Sequence, residues 1–266
     1  MQDDEAAIRD IDISVPHIAR MYDYWLGGKD HFAADRAAAQ KAAETDPRLL
    51  AGVRGNRAFL ARSVRFLAAE AGIRQFLDIG TGIPSANNTH EVAQATAPGS
   101  RVVYVDNDPI VLAHARALLT GAGGMTAYID ADARNPSEIL AAAAETLDFS
   151  EPVALMLIGL LHCIPDDNDP WAIVRTLVEA IPAGGYLAIS HPSHDFYADL
   201  SRKMVADLNS AMKEPLTFRS RDDVLRFFDG VALIEPGLVR IPDWRPDREE
   251  DRANPAAGWG GVARKL

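Results

Sequence analysis

Three carboxylates stand where neighbouring strands of a sheet would end: Asp78, Asp106 and Asp132. Asp78 lies in the apolar run Phe76, Leu77, Ile79 and is followed at once by Gly80-Thr81-Gly82. Asp106, with Asn107 after it, closes a second apolar run, Val102 to Val105. Asp132 and Ala133 follow a third, shorter run, Thr126 to Ile129. Glycines let a backbone approach a ligand closely, and an acid at the end of the second strand can accept from both hydroxyls of a ribose. Asp132 is placed to receive an adenine amino group, with the Ala133 amide beside it. The pattern predicts a nucleoside site.

The glycine loop departs from a dinucleotide fingerprint. Ser85 stands where the third glycine should allow a helix to pack beneath a pyrophosphate. An acid precedes the glycines and Pro84 follows them. A carboxylate here repels a pyrophosphate but welcomes a ligand with a cationic end. The ammonium and sulfonium of S-adenosylmethionine suit it, and a nicotinamide-dependent oxidoreductase is disfavoured.

The elements that must hold these residues alternate. Leu60, Val64, Leu67 and Ala71 form one stripe of a helix expected over 54–71, stopped by Gly72. Strand 75–79 leads to a helix near 85–96. Strand 102–105 leads through Asp108-Pro109, an N-cap and first-turn pair, to a helix ending at Leu119. Asn135-Pro136 with Glu138 opens a helix to Leu147. The continuously apolar run 153–158 reads as a buried central strand. A helix over 170–181, a strand over 186–190, a helix over 194–212, a short helix after Ser220 and strands near 231–235 and 259–264 complete the chain. Strands joined by crossover helices form a mostly parallel, doubly wound sheet, with the ligand at the carboxyl ends where strand order reverses. Residues 1–53 read as a helical N-terminal extension beginning with a polar tail, and 54–266 as one α/β domain.

The 266 residues carry a net charge of -11, which argues against a general nucleic-acid binder. The single cysteine, Cys163, excludes an intramolecular disulfide and a thiol cluster for zinc. The acidic start MQDDEAAIRD is no signal peptide, and no run of about 18 apolar residues predicts a membrane span. A cytoplasmic protein without membrane or nucleic-acid partners is expected. The oligomeric state is left open, a homodimer being one option.

The segments PHIARMYDYWLGGKDHFAADR (16–36), RGNRAFLARSVRFL (54–67), QFLDIGTGIPSANNTHEVAQ (75–94), VVYVDNDPIVLAHARALL (102–119), LHCIPDD (161–167), IEPGLVRIPDWRP (234–246) and GWGGVARK (258–265) carry a resemblance. Together they resemble class I S-adenosylmethionine-dependent methyltransferases, and more closely an actinobacterial family of S-adenosyl methyltransferases of the DUF574 type. The resemblance implies a Rossmann-like, seven-stranded sheet with an antiparallel last strand, and S-adenosylmethionine as cofactor. It implies no particular acceptor. Ile83, Ser85 and Thr89 depart from the residues expected there, Thr89 replacing Val, and read as conservative.

Methyl transfer is a displacement at an activated carbon, so alignment and desolvation dominate. A base is needed only if the nucleophile must shed a proton. His162, after Gly159-Leu160-Leu161 at the end of the central strand, is the candidate base; fixing loop backbone or packing against the adenosine is its plainer role. Tyr22, Tyr24 and Trp25 either cover the site, with Tyr22 as a second candidate, or dock the extension on a sheet edge. Arg57, or a base in the segment Lys29, Asp30, His31, Asp35, Arg36, is a partner for the methionine carboxylate. His31 with Asp35, and His191 with His194 and Asp195, have metal-like spacing, but no cysteine or third well-placed ligand supports either, so no metal is expected. His191 could instead line the acceptor pocket, and His90 reads as packing. The absence of an NPPY-like tetrapeptide speaks against a flipped base as acceptor. The reading is therefore a methyltransferase acting on a small molecule, with a non-catalytic S-adenosylmethionine-binding regulator as the alternative.

Overall fold

The computed structural model describes residues 12–111, 113 and 125–266. Most of the polar tail, and the helix expected up to Leu119 beyond its opening at Pro109–Val111, lie outside the described residues. Eight strands form one sheet: β1 (Gln75–Ile79), β2 (Arg101–Asp106), β3 (Thr126–Asp130), β4 (Ala154–Ile158), β5 (Tyr186–Pro192), β6 (Ala232–Leu233), β7 (Val239–Arg240) and β8 (Gly258–Arg264). Their order is β3-β2-β1-β4-β5-β8-β6. The first five are parallel and β8 runs antiparallel to β5. The two-residue β7 shares the outer edge of β8 with β6, so seven strands span the sheet as expected and β7 is an addition. Order reverses between β1 and β4, which opens a crevice at their carboxyl ends.

Alternation along the strands divides the core in two. Leu77, Ile79, Val103, Val105, Leu155 and Leu157 face helices α5 (Pro136–Ala143) and α6 (Pro170–Ala180). Phe76, Val102, Tyr104, Ala154, Met156 and Ile158 face α3 (Leu49–Ala69) and α4 (Thr89–Thr96). By the same period Asp78 rises on the α3 and α4 side. Helix α3 begins a turn earlier than expected, so the line drawn between 53 and 54 falls inside it. Asp169 caps α6 through the Ala172 amide, whereas Asn135 makes no side-chain cap and α5 opens on Pro136 alone.

The extension forms a third core. Helices α1 (Ile18–Leu26) and α2 (Ala33–Thr45) bury Met21, Trp25, Ala39 and Ala42 against Val53, Leu216, and Met204 and Leu208 of α7 (Ala198–Asn209). Asp35 is the hub of this unit. It is fully buried, pairs with Arg20 at 3.1 Å, and accepts from the amides of His17 and Phe32. The Trp25 indole donates to the Ala39 carbonyl. Docking on a sheet edge, the plainer sequence reading for these aromatics, is therefore not what the structure shows.

Candidate functional site

A cleft of about 590 Å³ opens where β1, β2, β3 and β4 end, with α1 and α3 across it. Its floor is the glycine turn. Gly80 has φ +76°, and a Cβ there would stand 2.5 Å from Leu160 Cδ1. Its amide donates to the Val105 carbonyl at 2.8 Å. Gly82, at φ +67°, has nothing within 4 Å of where a Cβ would sit. The first glycine thus lets two loops touch, and the second leaves the floor open. Thr81 lies between them and hydroxyl-bonds back to the Asp78 carbonyl. Helix α4 starts only at Thr89, later than the expected 85, so a loop rather than a helix end follows the glycines.

The acids occupy the positions expected of them, in different states. Asp106 Oδ2 accepts from the Gly82 amide at 2.8 Å and Oδ1 from the Asp108 amide at 3.0 Å. Each oxygen keeps a lone pair, which is the arrangement a pair of vicinal hydroxyls requires. Burial raises its pKa against these two bonds. Asp78 is 4% exposed and burial lifts its pKa to about 6. Thr89 Oγ1 donates to its Oδ2 at 2.6 Å, which opposes the rise. Valine could not make that bond, so Thr89 is not the neutral departure the sequence reading took it for. Asp132 lines the cleft beside Asn107 and Ala133, but Arg134 clasps its carboxylate at 2.6–3.0 Å and lowers its pKa. Receiving an adenine amine there requires Arg134, which is exposed, to yield a bond. Asp108 caps the Ile110 amide and stands 2.8 Å from His17 Nδ1.

The basic groups sort themselves. Arg57 on α3 donates from Nη2 to the carbonyls of Ala86 and Asn87, holding the loop after the glycines, and lines the cleft beside Asp78. Lys29, His31 and Arg36 do not line it; His31 is 3.0 Å from Asp23 Oδ2. Arg20 reaches the wall but is committed to Asp35 and the Val15 carbonyl. Among the described residues no three ligands converge on a metal position.

His162 sits in the 3-10 turn Leu161–Cys163, on the cleft wall with Gly159 and Leu160. Burial, and then the Arg219 charge, lower its pKa to about 4. Nδ1 is enclosed without a partner, so Nε2 is the ring nitrogen left to meet a ligand. Arg219, 2% exposed, braces this turn: it donates to the carbonyls of Leu161 and Ile164 and to Asp166. It also donates to His191 Nε2, whose ring gives Nδ1–H to the Pro192 carbonyl. His191 therefore supports the wall with both nitrogens engaged. Tyr22 lines the cleft, but its hydroxyl donates to the Val53 carbonyl and accepts from Asn56, and burial raises its pKa. That makes it a wall rather than a base. His90 packs on the Tyr104 hydroxyl, as read.

Sequence reasoning missed Asn56, Thr89 as a partner of Asp78, and Arg219. Asn56 ties the extension to the sheet: it donates to Tyr22 and accepts from Ser190 Oγ beside Gly159. A helical asparagine or a late arginine carries no local signal; only the fold brings them to the site.

A profile of the family described as S-adenosyl methyltransferase matches residues 4–266. A DUF574 family protein from Streptomyces avermitilis is similar at 43% identity, 96% of this chain, 99% of that chain and TM-score 0.91. A putative methyltransferase from Thermobifida fusca is similar at 42% identity, 96% of each chain and TM-score 0.89. An S-adenosylmethionine-dependent methyltransferase from Anabaena variabilis shares the fold at 14% identity, 95% of this chain, 97% of that chain and TM-score 0.53. Comparison with curated proteins finds no match.

Proposed function

Because this chain belongs to the S-adenosyl methyltransferase family, with S-adenosylmethionine as its cofactor, we propose that the cleft binds that molecule and methylates a small acceptor. The observation that carries the reading is Asp106, whose two oxygens each hold one backbone amide and offer one lone pair to a ribose. When bound, the cofactor supplies a methyl group on a sulfonium, a leaving group that needs no protonation.

The chain's own residues bind, orient and exclude water. Asp106 and Asn107 hold the ribose, and Asp132 with the Ala133 amide meets the adenine. Gly80, Thr81 and Gly82 allow close backbone approach. Asp78 faces the ammonium, a cation that favours its ionised form. Arg57, whose Nε and Nη1 carry no hydrogen bond among the described residues, pairs with the carboxylate. Gly159 and Leu160 lie against the end that carries the methyl. Tyr22 and Ile18 of α1 close the cleft from above and keep water from the reacting atoms. His162 stays neutral at physiological pH, so it contacts the acceptor's nucleophilic group without adding charge; with a pKa of about 4 it is a weak base. Alignment rather than proton abstraction then supplies most of the rate.

Incubation with methyl-labelled donor and small-molecule extracts tests the assignment. Label appearing in a low-mass product is expected. Tight binding of S-adenosylhomocysteine with no label transferred to any fraction would point to a binding protein instead.

A further inference from the structure

A second, smaller cavity of about 130 Å³ adjoins the cleft. Ile18, Tyr22, Asn56, Gly159, His162 and Leu216 line both, so the two meet at the end of β4. The far wall is apolar: Trp25, Val53, Met204, Leu208 and Phe218.

The polar side chains elsewhere in the lining are spoken for. Asp46 pairs with Arg48 at 2.8 Å. Tyr22, Asn56 and Ser190 bond one another or backbone. Ser201 donates to the Phe196 carbonyl, and His191 is held by Pro192 and Arg219. His162 is the exception among the described residues. Its enclosed Nδ1 has no partner, and a buried N–H without a partner is rarer than a bare lone pair. The proton is therefore assigned to Nε2, which gives this residue, lining both cavities, one donor to offer a ligand.

We propose that this chamber is the acceptor site, and that it takes an uncharged, benzene-sized ring whose one oxygen substituent accepts from His162 at the junction with the cleft. The proposal rests on the methyltransferase reading above. Size and chemistry decide the class. An apolar cavity of about 150 Å³ admits benzene. A carboxylate or ammonium would lose its hydration here and meet no free opposite charge.

Phenol, benzoate and benzene are the probes, titrated by NMR into full-length protein saturated with S-adenosylhomocysteine. Phenol should bind at least about tenfold more tightly than benzoate, because ionised groups resist apolar burial. His162→Leu should weaken phenol about fivefold, the loss of one hydrogen bond, and leave benzene unchanged. Leu208→Trp and, separately, Met204→Phe should fill the chamber and abolish phenol binding. Each variant should still bind S-adenosylhomocysteine, which reports that it is folded. Equal binding of phenol and benzoate, no phenol binding to the saturated wild type, or phenol binding retained in both filled variants overturns the proposal. Failure of the wild type to bind S-adenosylhomocysteine overturns the underlying reading instead.

Discussion

Asp78 gives the site a pH dependence of defined sign. Its pKa is raised to about 6, and the proposed contact with the ammonium would favour the ionised form, so cofactor binding is expected to release a proton below that pH. Affinity for S-adenosylhomocysteine should be level above pH 6 and fall as pH drops through it, approaching about tenfold per unit. Calorimetry across this range checks it, and Asp78→Asn should remove the Asp78 part of the slope. Thr89→Val takes away the hydrogen bond that opposes the rise. The midpoint should move up by about one unit, the equivalent of one hydrogen bond. A midpoint that stays put would separate Thr89 from the carboxylate it touches. The His162 pKa is shifted the other way. A lowered pKa means stability is lost as pH falls from the ordinary histidine range toward 4, and turnover at saturating donor should show no limb near pH 6.5 from this residue. The acids Asp78, Asp106 and Asp132 were legible in the sequence because each lies within, at the end of, or just after an apolar run. Thr89 was visible but undervalued, since its meaning depends on a contact across the β1–α4 turn.

At the scale of elements, two buried arginines hold pieces that carry the site. Arg20 is 4% exposed and rests on the fully buried Asp35, which also gathers the amides of His17 and Phe32. Asp35→Ala leaves a buried charge without its partner, and such losses cost about 3–5 kcal/mol. Helices α1 and α2 should then become sensitive to protease while β1 to β5 stay folded, a difference that hydrogen exchange or limited proteolysis resolves. Arg219 braces the turn that bears His162 by its two carbonyl bonds. Arg219→Met should cost about 2–3 kcal/mol in urea unfolding, the penalty of orphaned buried carbonyls. The parallel strands and their crossover helices could be read from run lengths and caps. The start of α3 at Leu49 could not, because Leu49, Leu50 and Val53 pack in the core of the extension, whereas Leu60, Val64 and Leu67 pack on the sheet. Strand β7 escaped for a simpler reason: two residues between turns have no period.

The whole molecule joins a parallel sheet, which supplies the cofactor cleft, to a helical cap, which supplies the second wall. Asn56 and Tyr22 link the two at Gly159. The sheet and its glycine turn were legible because they are local in sequence: strand, Gly80, Gly82, Asp106. The cap was not, because its core assembles residues from 21 to 216, and nothing near Trp25 announces Met204 or Leu208. That difference explains why the proposed donor site could be read from the chain and the proposed acceptor chamber only from the packed structure. Among the described residues no helix is long and apolar enough to cross a membrane. The central claim is that Asp106 closes a nucleoside site on the ribose of S-adenosylmethionine. Isothermal titration of S-adenosylhomocysteine into the wild type and Asp106→Ala tests it most directly. One molecule should bind per chain, and the variant should lose about 100-fold in affinity, the worth of two hydrogen bonds to a charged group. Absence of binding to the wild type, or equal affinity in the variant, would contradict the account.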